Sequence, residues 1–187
     1  MPSTDQRSAD SLSDAQVAAT GAALAAAFER IHRERMAGLP ILHPALEVAV
    51  VGGRAWRGHW LGVLVTPWCM NLVLIPAAGS ALAQDPHGTK RLLDFPAGRF
   101  ELVASPVDDL GTIATCSLFS PMQAFADQAT AEATAAAVIT SLFEPDPDAA
   151  ASGAPDADGA LAAGPPEPPS GPGVSRRDLL RGGFRPR

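Results

Sequence analysis

The sequence is poor in several residue types on which other protein classes depend. It contains no tyrosine, a single lysine and only two cysteines among 187 residues. Cys69 and Cys116 lie far apart, form no Cys-x-x-Cys pair and have no histidine at zinc-ligand spacing. A disulfide is possible but nothing in the sequence favours one. The composition therefore fits a reducing cytoplasm.

Familiar catalytic motifs are also absent. The sequence has no Gly-x-Ser-x-Gly elbow, no P-loop and no Gly-x-Gly-x-x-Gly between a strand and a helix. Asp108 and Asp109 are adjacent carboxylates, but PVDDLG is typical hairpin-turn sequence. A metal or iron–sulfur handling protein is the alternative, with His43, His59, Cys69 and Cys116 as the available ligands. Their spacing does not favour a site, so we predict a protein that is not an enzyme and has no cofactor.

A long stretch without charge raises the question of a membrane segment. No residue between Arg57 and Asp85 carries a formal charge. Pro67, Asn71 and Pro76 interrupt it, and the apolar halves are rich in branched residues, which favours two buried strands over one spanning helix. Aspartates at positions 5, 10 and 14 are not typical of a secretory signal peptide. We therefore predict a cytoplasmic protein.

Charge is unevenly distributed along the chain. Residues 175–187 carry five arginines and one acid, residues 144–174 carry six acids and no base, and residues 1–143 carry nine bases and thirteen acids. The three parts are thus +4, −6 and −4, which sum to the formal net charge of −6. An acidic body argues against nucleic-acid binding, which favours a basic folded surface.

Hydrophobic periodicity predicts an α+β domain. Ser13 and Gln16 form a capping box that starts a helix over 14–37, whose charged run at 29–35 is interpreted as a solvated face. A second helix is predicted over 127–143. Strands are predicted over 46–51, 59–66, 70–75, 91–95, 100–104 and 112–119. The second strand is apolar on both faces and should be central. The result is an antiparallel sheet of about five strands flanked by an N-terminal and a C-terminal helix.

Composition divides the chain into four parts. Residues 1–11 are predicted to be a flexible N-terminus and 12–143 the folded domain. Residues 144–174 are rich in proline, glycine, alanine and acids, which predicts a disordered linker. Residues 175–187 form a basic tail that resembles a twin-arginine export signal, through Ser175, Arg176, Arg177, Leu179, Leu180 and Arg181. No hydrophobic stretch follows that motif, so it is in the wrong place to direct export.

Three segments resemble the HybE/HupJ family of nickel–iron hydrogenase assembly chaperones. They are RMAGLPILHPALEV, GHWLGVLVTPWCMNLVLIP and CSLFSPM, and the resemblance covers about 25–143. It implies a non-enzymatic cytoplasmic protein that binds the precursor of the hydrogenase small subunit, which carries a twin-arginine signal. Other hydrogenase maturation proteins are further candidate partners. Some relatives carry a rubredoxin module, but the four cysteines it needs are absent here.

Recognition of such a signal requires carboxylates for its arginines and an apolar trough for the residues that follow. The candidate contact residues are Trp60, Trp68, Met70, Asp94, Glu101, Asp108 and Asp109. The tail motif is interpreted as an imitation of the signal that docks on its own domain. Contact with anionic lipid, or no defined role, are the alternatives.

Overall fold

Residues 12–145 are described by the computed structural model, and they form two α-helices around a six-stranded antiparallel sheet. The helices are α1 (Asp14–Ile31) and α2 (Gln128–Ser141). The strands are β1 (Ala49–Trp56), β2 (His59–Val65), β3 (Met70–Ile75), β4 (Lys90–Phe95), β5 (Gly98–Val107) and β6 (Gly111–Phe119). A short 3-10 helix, Ala81–Gln84, precedes β4. The predicted α+β fold is confirmed, with six strands instead of about five.

Three predicted regions fall largely or wholly outside this description. The N-terminus 1–11, the linker from residue 146 onward and the tail 175–187 are not among the described residues. The predictions made for them therefore stay predictions.

Helix α1 begins where the sequence predicts. Ser13 Oγ accepts a hydrogen bond from the Gln16 backbone at 3.3 Å, and Gln16 Oε1 accepts one from the Ser13 backbone at 2.8 Å. The α-helical turns end at Ile31, earlier than predicted, and a π-helical turn, His32–Met36, continues the helix. Gly38 then adopts φ +81°, a left-handed conformation that terminates it.

The first hairpin differs from its prediction. The predicted strands 46–51 and 59–66 leave residues 52–58 as a connector, but 52–56 belong to β1, and only Arg57 and Gly58 form the turn. Both have positive φ, 49° and 78°, as a two-residue hairpin turn requires. The pairing register shifts between Val51 and Arg54, so a local irregularity at the glycines keeps β1 paired with β2.

The sheet order is β1-β2-β3-β6-β5-β4, so β2 is internal, as predicted. The uncharged stretch forms β2 and β3, which are almost completely buried. Helix α2 covers one face, where small side chains at Ala131 and Ala135 let it approach the strands closely. Helix α1 covers part of the other face through Leu24 and Phe28. Within residues 12–145, neither helix combines the length and apolar character needed to cross a bilayer.

The sheet curls around α2 until its two edge strands approach each other. Trp56 at the end of β1 stacks on Phe95 at the end of β4, with ring centroids 4.4 Å apart. Phe143, just after α2, packs edge-on against the same Phe95 ring. The Arg54 guanidinium lies 4.1 Å from the centroid of the Phe143 ring. The end of α2 therefore lies beside β1.

Candidate functional site

Two of the candidate contact residues are core residues. Trp60 is 1% exposed and Met70 is fully buried. The Trp60 indole Nε1 donates a hydrogen bond to the Val17 carbonyl of α1 at 3.0 Å. Both side chains lie in the core because β2 and β3 are internal strands, and their role as partner contacts stays a prediction. Trp68, in the turn between these strands, is only half-buried.

Every carboxylate in the candidate set is already paired with a base of the same domain. The N–O distances are 2.7 Å for Asp94–Arg99, 2.9 Å for Glu101–Lys90, 3.0 Å for Asp108–Arg35 and 2.8 Å for Asp109–Arg30. All four acids are exposed, so these pairs contribute little to stability and can exchange partners. An incoming arginine would have to displace a resident cation at each of them.

The end of α1 brings three of the candidate residues together. The His32 ring lies 5.7 Å from Trp68, and two arginines of the same turns hold Asp108 and Asp109. We call this group the helix-end cluster: Arg30, His32, Arg35, Trp68, Asp108 and Asp109. The prediction that the charged run is only a solvated face missed these two ion pairs. Asp94 and Glu101 lie on the β4–β5 hairpin and are not part of the cluster.

Exposed apolar side chains continue the surface beyond this cluster. Leu39 and Ile41, in the loop after the π-helical turn, are 44% and 40% exposed. The loop is fixed in place because the His43 amide donates to the Pro67 carbonyl at 2.8 Å and Gln123 Nε2 donates to the Ile41 carbonyl at 3.0 Å. These bonds join the first of the three resembling segments to the second, and to the residue that directly follows the third.

A groove lies along the other flank of α1, between this helix and β1. Its volume is about 530 Å³. The helix contributes Asp14, Val17, Ala18, Gly21, Ala22 and Ala25. The sheet contributes Val50 and Gly53 of β1, with the Trp60 indole as the floor. We call it the α1–β1 groove.

Small residues explain why this groove exists. A Cβ atom placed on Gly21 would contact Val50 Cγ1 at 3.5 Å and Trp60 Cζ2 at 3.6 Å, so even one methyl group would begin to fill it. Asp14 is exposed at the groove's rim, and no side chain within residues 12–145 pairs with it. The groove thus combines apolar walls with an available carboxylate. The alanine-rich sequence of α1 was the signal that sequence reasoning overlooked.

The residues considered as metal ligands have other roles. His43 Nδ1 accepts from the Ala45 amide at 3.2 Å, and His59 Nδ1 accepts from the Ala77 amide at 3.0 Å. Burial raises the pKa of the Cys69 thiol, which disfavours the thiolate that a metal needs. Within residues 12–145, no three His, Cys, Asp or Glu side chains are grouped to hold a metal ion. The structure therefore gives the metal-handling alternative no support.

Similarity to known proteins covers most of the chain. Residues 19–182 match a family model described as "[NiFe]-hydrogenase assembly, chaperone, HybE". The hydrogenase expression/formation protein HupJ of Bradyrhizobium diazoefficiens is 43% identical over 169 residues, 90% of this chain and 91% of that protein. The hydrogenase-2 operon protein HybE of Escherichia coli K12 is 32% identical over 97 residues, 52% of this chain and 60% of that protein. The solution structure of HybE from Escherichia coli matches with a TM-score of 0.56 at 25% identity, over 79% of this chain and 91% of that one.

Proposed function

The chain belongs to the HybE family of nickel–iron hydrogenase assembly chaperones, and on this premise we propose that it binds a hydrogenase small-subunit precursor through its twin-arginine signal. It would hold the precursor in the cytoplasm until the cofactors are inserted and the subunits assemble. In this role the protein binds polypeptide and makes or breaks no covalent bond.

The observation that carries the proposal is the α1–β1 groove with its available carboxylate. A twin-arginine signal presents guanidinium groups followed within a few residues by large apolar side chains. A guanidinium pairs best with a carboxylate, and apolar side chains need a surface from which they can exclude water. Asp14 and the groove supply one of each, side by side. The acids of the original candidate set are less suitable, because each already holds a base.

The helix-end cluster supports a second contact with the same precursor. Trp68 and the exposed Leu39 and Ile41 offer apolar area to a polypeptide outside the signal core. Tryptophan is enriched among residues that dominate binding energy. Asp108 and Asp109 hold two arginines through exposed ion pairs, and exchanging one arginine for another changes the free energy little. We propose that further basic residues of the precursor bind there.

The tail motif at 175–181 has the same order of residue types as the signal. We propose that it imitates the signal and competes with it. Deleting 175–187 is then expected to tighten binding of the precursor. Unchanged or weaker binding after the deletion would contradict the imitation.

Fluorescence anisotropy with a labelled signal peptide tests the central proposal. We expect binding by the purified chain, and at least tenfold weaker binding of the same peptide with both arginines replaced by alanine. Asp14→Asn and Ala22→Arg should each weaken binding, the second by filling the groove. Glu29→Gln and Ala26→Arg are matched controls on exposed positions of α1 outside the groove, and they should bind as the wild type does. Equal affinity for both peptides would refute signal recognition.

A pull-down separates the two contacts. Precursor should be captured in preference to the small subunit lacking its signal, and Trp68→Ala should reduce capture of both. If the subunit lacking the signal is captured as efficiently as the precursor, the groove is not the main contact.

A further inference from the structure

We propose that the α1–β1 groove is occupied, in the free protein, by the chain's own tail, with Leu179 and Leu180 above Trp60 and the preceding arginines at Asp14. This inference rests on the tail's proposed imitation of a signal, and it assigns the imitation to one surface. The occupant is thus a segment of this chain that lies outside the described residues.

The place where the chain leaves the domain favours this assignment. The ring of Phe143, at the end of α2, lies 4.1 Å from the Arg54 guanidinium of β1. Arg54 follows Gly53, which lines the groove. The chain therefore departs beside the strand that forms one wall. The 31 residues from 144 to 174 have a contour length of about 100 Å. A domain of this size has a radius of gyration of about 14 Å, so every part of its surface is within reach.

Composition and charge also favour the tail as the occupant. Leu161 and Val174 are the only large aliphatic residues in 144–174, whereas the tail carries Leu179 and Leu180 next to each other. The tail bears +4 and residues 1–143 bear −4. The N-terminal segment 1–11 is the other candidate, but its only large apolar residue is Met1. The family match extends to residue 182 and so includes the leucine pair.

The contact should be weak enough for a precursor to displace it. Asp14 lies in the first turn of α1, where the partial positive charge of the helix terminus offsets part of its attraction for an arginine. Tethering compensates for weak affinity, because a linked segment has an effective concentration of about 1 mM. If the free tail binds with a dissociation constant of about 100 µM, its presence weakens a competing signal about tenfold.

The experiment compares two double variants of the full chain in the absence of any precursor. In ¹⁵N-labelled protein, Leu179→Glu with Leu180→Glu should shift the Trp60 indole N–H and the Gly21 and Gly53 amides. Leu161→Glu with Val174→Glu adds the same two charges at large aliphatic positions outside the motif, and should leave these signals in their wild-type positions. Ala22→Arg, on the groove side, should abolish the difference between the wild-type and the Leu179/Leu180 spectra.

Three outcomes would overturn the inference. Identical spectra for wild type and the Leu179/Leu180 variant would show that the tail does not occupy the groove. Shifts confined to Trp68 and its neighbours would place the tail at the helix-end cluster instead. If the Leu179/Leu180 variant has the wild-type spectrum but no longer floats with phosphatidylserine vesicles that the wild type binds, the tail is a membrane contact. Because no precursor is present, a failure of signal binding leaves this result unaffected, and the two proposals can fail separately.

Discussion

The sharpest stability prediction concerns Gly62, in β2 beneath α1. A Cβ atom at this position would lie 2.6 Å from Trp60 Cη2, 3.0 Å from Trp60 Cζ2 and 3.2 Å from the Gly53 backbone. The indole cannot move aside freely. It is 1% exposed, and its Nε1 donates a hydrogen bond to the Val17 carbonyl at 3.0 Å. The Gly53 backbone packs so closely against the indole that a Cβ atom on Gly53 would lie 3.0 Å from Trp60 Cζ2. Gly62→Ala therefore overpacks the core.

The expected magnitude follows from opposing effects. Overpacking of a filled core costs about 1–3 kcal/mol, and displacement of the indole from its hydrogen bond about 1 kcal/mol more. Replacing glycine by alanine reduces the entropy of the unfolded chain, which stabilises by about 0.4–1 kcal/mol. The net loss for Gly62→Ala should be about 1–3 kcal/mol. Gly21→Ala is the matched control, because its Cβ meets only ordinary contacts at 3.5 and 3.6 Å and a helix interior favours alanine by about 1 kcal/mol.

Urea unfolding followed by tryptophan fluorescence measures both variants. With unchanged slopes, the unfolding midpoint should fall for Gly62→Ala and rise for Gly21→Ala. If Gly62→Ala is as stable as the wild type, the tight packing around Trp60 described above is wrong. A drop in stability for Gly21→Ala would mean that the groove has no room for a methyl group.

Three further predictions concern ionisable groups. The Asp85 carboxylate is 6% exposed and receives two hydrogen bonds from Arg91, which lower its pKa, so Asp85→Asn should reduce the urea midpoint while Asp94→Asn, in an exposed pair, should not. The contribution of the Asp85–Arg91 pair to the free energy of unfolding is present above the unfolded-state pKa of Asp, about 3.9, and should be lost as the pH falls below that value. Burial lowers the pKa of His59, so the free energy of unfolding should decline as the pH falls below about 6.5. His59→Gln should flatten this decline with pH, and an equally steep decline in the variant would contradict the prediction. Burial raises the pKa of Cys69, so iodoacetamide at pH 7.5 should alkylate it more slowly in the folded than in the unfolded protein, and equal rates would refute its burial.

Local sequence features predicted the fold well because they act over a few residues. The capping box at Ser13, the stop at Gly38 and the apolar character of β2 each specify structure without distant partners. The first hairpin was misplaced because its glycines can continue a strand through a bulge as well as end it. Only pairing with β2 decides between the two.

The site was harder to predict because it depends on tertiary contacts. Arg30 and Asp109 are far apart in the sequence, so neither residue reveals its partner. The apolar pattern that made β2 internal also implies that Trp60 is buried, although its indole still lines the floor of the α1–β1 groove. The α1–β1 groove arises where several side chains are small, and a missing side chain leaves no motif to recognise.

The meeting of Trp56 and Phe95 limits how the molecule can associate with copies of itself. Open sheets expose backbone donors and acceptors along their outermost strands, and foreign strands can extend them into aggregates. Here those two margins turn toward each other at one end and share an aromatic stack. A strand arriving there would first have to separate the rings. The aromatic stack thereby makes this end of the sheet less open to extension by a foreign strand.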